Sequence, residues 1–138
     1  MLDLNSMDIF FHDPDEVRLP PEEVRLREMQ VTPLPDGRRV KILLELTPFI
    51  KRPNVDVSIT AASGEEVART SILETMSRKL EFTMHLRETE PGSEYTLESI
   101  VYYQRLPEPS AIPMETPLPD PIIVDHHKAT FILLQLET

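Results

Sequence analysis

The sequence contains no cysteine, no tryptophan and only 3 glycines in 138 residues. Without cysteine, the chain has no disulfide, no thiolate zinc site, no iron–sulfur cluster and no cysteine nucleophile. Three glycines are too few for the glycine-rich loops that cradle phosphate groups. These absences exclude several cofactor sites that a sequence can reveal, and we expect no bound cofactor.

Long apolar segments are also missing from the sequence. No stretch approaches the roughly 20 apolar residues that a transmembrane helix requires. The first residues, Met1–Phe11, carry acidic side chains where a secretory signal peptide carries basic ones. We therefore expect a cytoplasmic protein.

The charge balance is acidic, with 24 aspartates and glutamates against 14 lysines and arginines. The resulting formal net charge is -10 at pH 7. Nucleic acids and anionic membrane surfaces are themselves negatively charged and would repel such a chain. We expect no nucleic acid and no membrane among its partners.

Alternation of apolar and polar residues is the strongest positive signal. Residues 40–46 and 55–61 repeat it with period two, as half-buried strands do. The 14 prolines are disfavoured in helix interiors, and no segment has convincing helical periodicity. The sequence therefore predicts an all-β fold, a seven-stranded antiparallel β-sandwich. The other predicted strands lie in residues 24–31, 66–76, 80–86, 95–103 and 130–136.

The first predicted strand changes parity along its length. Val24 and Leu26 fall on one face, whereas the apolar positions then shift to Met29 and Val31. A change of parity within one strand predicts a β-bulge, because one extra residue moves all the following side chains to the other face.

The N-terminal residues differ in composition from the rest of the chain. Residues 1–21 are acidic, end in a pair of prolines and contain one apolar cluster that includes Ile9 and Phe10. Their low hydrophobicity favours a disordered leader, whereas the apolar cluster would suit an arm that docks on the body or on a neighbouring subunit. We predict an acidic arm or tail at residues 1–21 and a β-sandwich domain at residues 22–138.

A proline-rich stretch precedes the last predicted strand. Residues 106–121 contain six prolines, so they form neither a helix nor a central strand. Loops of this length are usually functional or disordered. Ile112, Met114 and Leu118 lie between the prolines and would suit an arm laid across a neighbouring apolar surface. The alternative is a stiff loop that packs on its own sandwich.

A short motif connects the predicted strands to a known family. Leu86 and the run Pro91-Gly92-Ser93-Glu94-Tyr95-Thr96-Leu97 resemble the E–F corner of fibronectin type III and related immunoglobulin-like domains. In those domains a tyrosine near the start of strand F forms a hydrogen bond to the backbone upstream and fixes the corner. Tyr95 matches that tyrosine and Pro91-Gly92 match the turn, while Leu97 takes the position of the second cysteine.

The resemblance implies an immunoglobulin-like β-sandwich with seven strands in Greek-key order and a long proline-rich loop before the last strand. It places strands at residues 38–47, 54–61, 79–87, 94–104 and 128–137. Two features depart from the family pattern. Because tryptophan is absent, Phe82 or a tyrosine must fill the volume of the usual core aromatic. The last connection is also much longer than a hairpin requires.

Motifs for catalysis or metal binding are weak. Asp125-His126-His127 is the most reactive-looking cluster, but adjacent histidines in a strand point to opposite faces and cannot bind one metal together. No spacing suggests His12 or His85 as a third ligand, and no nucleophile elbow presents a serine. We expect no metal site, no catalytic residue and no enzyme. A metal-dependent enzyme that uses one of the adjacent histidines is the least favoured alternative.

The interpretation most consistent with these features is a non-enzymatic protein-interaction or structural module. Its partner would be another protein or a second copy of the chain, so a homo-oligomer is one expected outcome. The alternative is a small-ligand or carbohydrate-binding β-sandwich. Such a protein would expose aromatic side chains on one platform, for which the candidates are Tyr102, Tyr103 and Phe131.

Overall fold

The computed structural model describes residues 17–90, 92–104 and 120–133. They form seven β-strands and one short 3-10 turn, Pro21–Glu23. No helix in this part of the chain is long and apolar enough to cross a membrane. The strands are β1 (Leu26–Pro33), β2 (Arg39–Leu46), β3 (Asn54–Ala61), β4 (Glu66–Ile72), β5 (Lys79–His85), β6 (Glu94–Tyr103) and β7 (Ile122–Ile132).

The strands form two antiparallel sheets. One has three strands in the order β1-β2-β5, and the other has four in the order β4-β3-β6-β7. The chain crosses between the sheets after β2, after β4 and after β5, as it does in Greek-key sandwiches. The predicted all-β, seven-stranded antiparallel sandwich of immunoglobulin-like type is therefore confirmed.

The core lies between the sheets and is built from alternate residues of the central strands. Val40, Ile42 and Leu44 of β2 are fully buried, as are Val55 and Val57 of β3. Burying one such side chain contributes about 1.5–3 kcal/mol. A slip of one residue would expose every apolar side chain of a strand. The period-two pattern of the sequence therefore fixes which face of each strand turns inward.

β1 contains the predicted bulge. Its pairing register with β2 shifts between Leu26 and Glu28, where the apolar positions change parity. The backbone N–H of Leu26 donates to Oδ2 of Asp125 in β7, at 2.8 Å. This hydrogen bond joins the edge strands of the two sheets on one side of the sandwich.

The Asp125 carboxylate should make stability depend on pH. Burial raises the pKa of Asp125, but hydrogen bonds from the Leu26 and His126 N–H groups and from the His127 ring lower it by more, so the pKa lies below its usual value. A lowered pKa in the folded state stabilises the fold above the unfolded value, about 3.9, and this contribution is lost as pH falls through the folded value. We therefore expect Asp125→Asn to flatten the acid side of the stability profile.

Urea unfolding of both proteins from pH 7 down to about pH 3 measures this effect. At pH 7 the unmodified protein should have the larger free energy of unfolding. The difference between the two proteins should shrink as the pH falls. Parallel profiles for the two proteins would show that the carboxylate does not hold β1 and β7 together.

Tyr95 fixes the corner between β5 and β6. Its hydroxyl oxygen accepts the backbone N–H of Glu90 at 2.9 Å, and its side chain is 3% exposed. The ring stacks on Phe131 of β7 with 5.8 Å between ring centroids. Gly92 has a φ of 87°, a backbone conformation that favours glycine because it lacks a Cβ. Pro91 lies outside the described residues.

Two details differ from the predicted strands. β7 begins at Ile122 rather than at residue 128, because residues 122–127 continue the ladder along the end of β6, where Tyr103 pairs with Ile122. Of the two alternatives for the core aromatic, Phe82 is half-buried on β5, an edge strand that among the described residues pairs only with β2. The aromatic side chains buried in the described core are Phe49, Tyr95, Tyr103 and Phe131.

The segment before β1 contacts the sandwich. The N–H of Leu19 donates to the Pro48 carbonyl at 3.2 Å, and the N–H of Ile50 donates to the Leu19 carbonyl at 3.0 Å. Val24 is fully buried. The boundary between arm and domain at residue 21 stays a prediction.

Candidate functional site

Several connections meet at one end of the sandwich, which we call the loop end. It comprises the connections 47–53 and 73–78, the last residues of β6 and the first residues of β7. The register confirms their proximity, since Asn54 pairs with Tyr102 and Tyr102 pairs with Ile123. The opposite end, here called the turn end, contains the connections 34–38, 62–65 and 86–93.

The connection 47–53 is held by the end of β6. The Tyr103 hydroxyl donates to the Lys51 carbonyl at 2.7 Å, and the Lys51 ammonium lies 5.8 Å from the centroid of the Tyr103 ring. Burial raises the pKa of Tyr103 to about 12. With its backbone fixed in this way, the connection leaves the Ile50 side chain 65% exposed.

The connection 73–78 is held by buried polar groups. The side-chain oxygen of Asn54, a residue that is 7% exposed, accepts the N–H of Glu74 at 2.7 Å. The N–H of Thr75 donates to the Pro53 carbonyl at 3.0 Å. The backbone of Glu74 has a φ of 45°. This value lies in the left-handed region, which residues other than glycine rarely adopt. On the fixed backbone of this connection, the side chains of Leu73 and Met76 are exposed to solvent.

Large exposed apolar side chains concentrate at the loop end. Of the seven in the described part of the chain, only Ile132, at 57% exposure, lies at the turn end. Met76 is the most exposed, at 81%. Single apolar residues scattered over a surface are ordinary, whereas large contiguous apolar patches are typical of interaction sites. The six at the loop end are Val17, Ile50, Leu73, Met76, Ile122 and Ile123.

The outer face of the four-stranded sheet is largely polar and carries no aromatic platform in the described residues. Tyr103 and Phe131 are buried, which rules out two of the three aromatic residues expected on such a platform. Tyr102 is half-buried on the outer face, where its hydroxyl donates to Asp56 at 3.2 Å. Arg69 of β4 also pairs with Asp56, at 3.4 Å.

The two adjacent histidines form contacts with carboxylates and do not converge. His126 contacts Glu98 of β6, whereas Nε2 of His127 lies 3.0 Å from Oδ2 of Asp125. Among the described residues, no group of three or more histidine and acidic side chains is arranged to hold a metal ion. His12, one of the two candidate third ligands, lies outside that part of the chain.

The apolar residues that the sequence singled out fall outside the described structure. These are Ile9 and Phe10 in the N-terminal segment, and Ile112, Met114 and Leu118 in the proline-rich stretch. The described residues that flank both segments lie at the loop end. Val17 precedes the pairing of Leu19 with Phe49, and Gln104 and Asp120 follow β6 and precede β7.

Sequence reasoning missed the exposed apolar residues of the loop end itself. Ile50, Leu73 and Met76 lie in connections, where periodicity gives no information about burial. One weak signal was present: Leu73 and Met76 are apolar residues in a polar stretch between two strands. Ile122 and Ile123 belong to the start of β7, which the sequence did not assign to a strand.

Comparison with known proteins finds similarity at the level of three-dimensional structure and none at the level of sequence. No protein-family model and no curated protein matches the sequence. A glycosyl hydrolase family 2 member from Bacteroides cellulosilyticus DSM 14838 matches with a TM-score of 0.51 and 11% identity, covering 80% of this chain and 15% of that chain. A β-glucuronidase from Lactobacillus rhamnosus matches with a TM-score of 0.45 and 13% identity, covering 80% of this chain and 16% of that chain.

This chain therefore spans only about 15% of the length of the first of these proteins. Because the sequences are so different, the likeness concerns the fold alone. The similar region of the family 2 protein is an immunoglobulin-like β-sandwich domain, and the present chain shares that architecture.

Proposed function

We propose that the protein is a non-enzymatic interaction module that binds another protein through the loop end. The proposal is carried by one observation, the concentration of six large exposed apolar side chains at that end. When a partner covers water-exposed apolar area of this kind, the complex is stabilised by about 25 cal/mol per Å² removed from water. The opposite end offers Ile132 alone among the described residues.

The hydrogen bonds beneath the loop end also favour a binding role. Asn54 and Tyr103 fix the backbone of two connections from below. A surface that is already ordered loses less conformational entropy on binding than a mobile one. Several polar groups of these loops form internal hydrogen bonds, and the exposed apolar side chains remain available to a partner.

A matched set of surface variants tests the proposal. The first combines Ile50→Glu, Met76→Glu and Ile123→Glu at the loop end, and the control is Ile132→Glu at the turn end. The control is well matched because Ile132 and Ile123 are 57% and 59% exposed. All three proteins should have similar thermal midpoints, since exposed substitutions usually change stability by only about 0.5 kcal/mol.

Each protein is then immobilised and used to capture partners from an extract of the source cells. We expect the same proteins to be recovered by the unmodified protein and by Ile132→Glu, and to be lost with the triple variant. Recovery of the same partners by the triple variant would overturn the proposal, because three charges would then have been tolerated in the supposed contact.

A carbohydrate-associated β-sandwich is the second candidate. It is supported by the fold shared with part of a glycosyl hydrolase family 2 member and by Tyr102, a half-buried aromatic residue on the outer sheet face. Aromatic faces stack on sugar rings, so Tyr102→Ala should abolish any thermal shift that an oligosaccharide panel produces. If the unmodified protein shows no shift with any oligosaccharide in the panel, this candidate is removed.

A further inference from the structure

The sandwich is open along one side, where the edge strands β4 and β5 face each other without pairing. β4 pairs with β3 and β5 pairs with β2, and neither has a second partner strand in the described structure. Between them lies a cleft of about 500 Å³, which we call the lateral cleft. Unpaired strand edges offer backbone N–H and C=O groups to an additional strand.

The lateral cleft is closed at the turn end by Arg87. Its backbone N–H donates to the Val67 carbonyl at 2.8 Å, and its guanidinium donates to the Glu66 carbonyl. Towards the loop end no such bond joins the two strands in the described residues. The cleft is therefore bridged by hydrogen bonds at the turn end and, among the described residues, is not bridged towards the loop end.

The walls of the lateral cleft combine apolar side chains with positive charge. Ile72, Leu80 and Phe82 line it and are only half-buried, so an inserted strand would remove their remaining exposed area from water. Arg87 also lines it, and its guanidinium binds a carbonyl rather than a carboxylate. The carboxylate of Glu81, in contrast, forms an ion pair with Lys41, with 3.2 Å between Oε1 and Nζ. A strand with apolar residues at alternate positions and acidic residues beside them would fit these walls.

The N-terminal segment of this chain has that composition. Residues 1–16 contain five acidic residues and no lysine or arginine. Four apolar residues and one aspartate make up residues 7–11, and in an extended chain Met7, Ile9 and Phe11 would share one face. Fully extended, 16 residues reach about 50 Å, which exceeds the length of the strands that form the cleft.

The point where this segment joins the sandwich favours a second molecule as its acceptor. Leu19 pairs with Phe49, and the Pro21–Glu23 turn packs against β7. The described residues that adjoin this segment therefore lie on the side of β1 and β7, whereas the lateral cleft lies on the opposite side, between β4 and β5.

We propose that residues 1–16 of one copy add as a strand to the lateral cleft of a second copy. Strand addition of this kind uses backbone hydrogen bonds for affinity and alternate side chains for specificity. Reciprocal exchange between two copies closes a twofold-symmetric dimer. The proposal goes beyond the proposed function, because it names a second copy of the chain as a partner and uses a surface other than the loop end.

Light scattering coupled to size exclusion tests the assembly. The full chain should be a dimer, and a chain that starts at Val17, which keeps the Leu19 hydrogen bonds, should be a monomer. Phe82→Glu in the full chain should also give a monomer, because it places a charge that repels the acidic segment in the cleft. The matched control is Val31→Glu, a half-buried residue of the other edge strand, β1, and it should stay dimeric.

A peptide experiment removes any dependence on how well these variants fold. A synthetic peptide of residues 1–16, labelled with a fluorophore, is titrated with the chain that starts at Val17. Replacing Ile9 by lysine in the peptide should weaken binding by about tenfold or more. A monomeric full chain, or equal affinity for the two peptides, would overturn the proposal. The loop-end variants should leave the dimer intact, so this inference and the proposed function fail separately.

Discussion

Tyr95→Ala is expected to lower the free energy of unfolding by about 3–5 kcal/mol, the cost of removing a large buried aromatic side chain. The Tyr95 side chain is 3% exposed and stacks on Phe131, so its loss leaves a cavity at the corner between β5 and β6. Its hydroxyl also accepts the N–H of Glu90, which would be left without that partner. Urea unfolding followed by circular dichroism measures the change.

Tyr95→Phe separates the hydrogen bond from the packing. This variant keeps the ring and its stacking on Phe131 but removes the acceptor, so we expect a loss of about 1 kcal/mol. Equal losses for Tyr95→Ala and Tyr95→Phe would contradict the packing interpretation. A loss below about 1 kcal/mol for Tyr95→Ala would show that the corner is not a stabilising feature of this sandwich.

Leu97→Ala is expected to be the second large effect, with a loss of about 2–5 kcal/mol. Leu97 is fully buried at the position that the second cysteine takes in immunoglobulin domains. The matched control is Ile100→Ala in the same strand, because Ile100 lies on the outer sheet face and is only half-buried. The control should lose less, since part of its area is already in water.

Urea unfolding of both variants gives the comparison, and an unchanged slope shows that the denatured state is the same. If Ile100→Ala were the more destabilising change, the outer face of β6 would be the buried one. That result would contradict the arrangement of the two sheets.

Much of the fold could be predicted because the alternation of apolar and polar residues along each strand agrees with the pairing of the strands in the two sheets. The alternation in residues 40–46 and 55–61 is enough to define two central strands, since their buried faces are set by period two. The parity change after Leu26 located the bulge. The start of β7 could not be found in this way, because residues 122–127 are exposed or half-buried and carry no apolar alternation.

Less of the candidate site could be predicted, and the reason is physical. Whether Ile50 or Met76 is exposed depends on the hydrogen bonds that fix the backbone of its connection. Tyr103 makes that bond in the connection 47–53, and Asn54 makes it in the connection 73–78. Those contacts join residues that are far apart in sequence, and no local pattern encodes them. The choice between Phe82 and a tyrosine as the core aromatic could not be made from the sequence for a related reason: the strand of Phe82 has the alternation of a core strand but lies at the edge of its sheet, and Tyr95 and Tyr103 are the buried residues.

Site-specific photo-crosslinking tests the central proposal most directly. A photoreactive amino acid replaces Met76 at the loop end in one protein and Ile132 at the turn end in another, and both are irradiated in an extract of the source cells. We expect a discrete crosslinked protein from position 76 and none from position 132. Crosslinks of equal yield from both positions, or from position 132 alone, would contradict the assignment of the loop end as the binding surface.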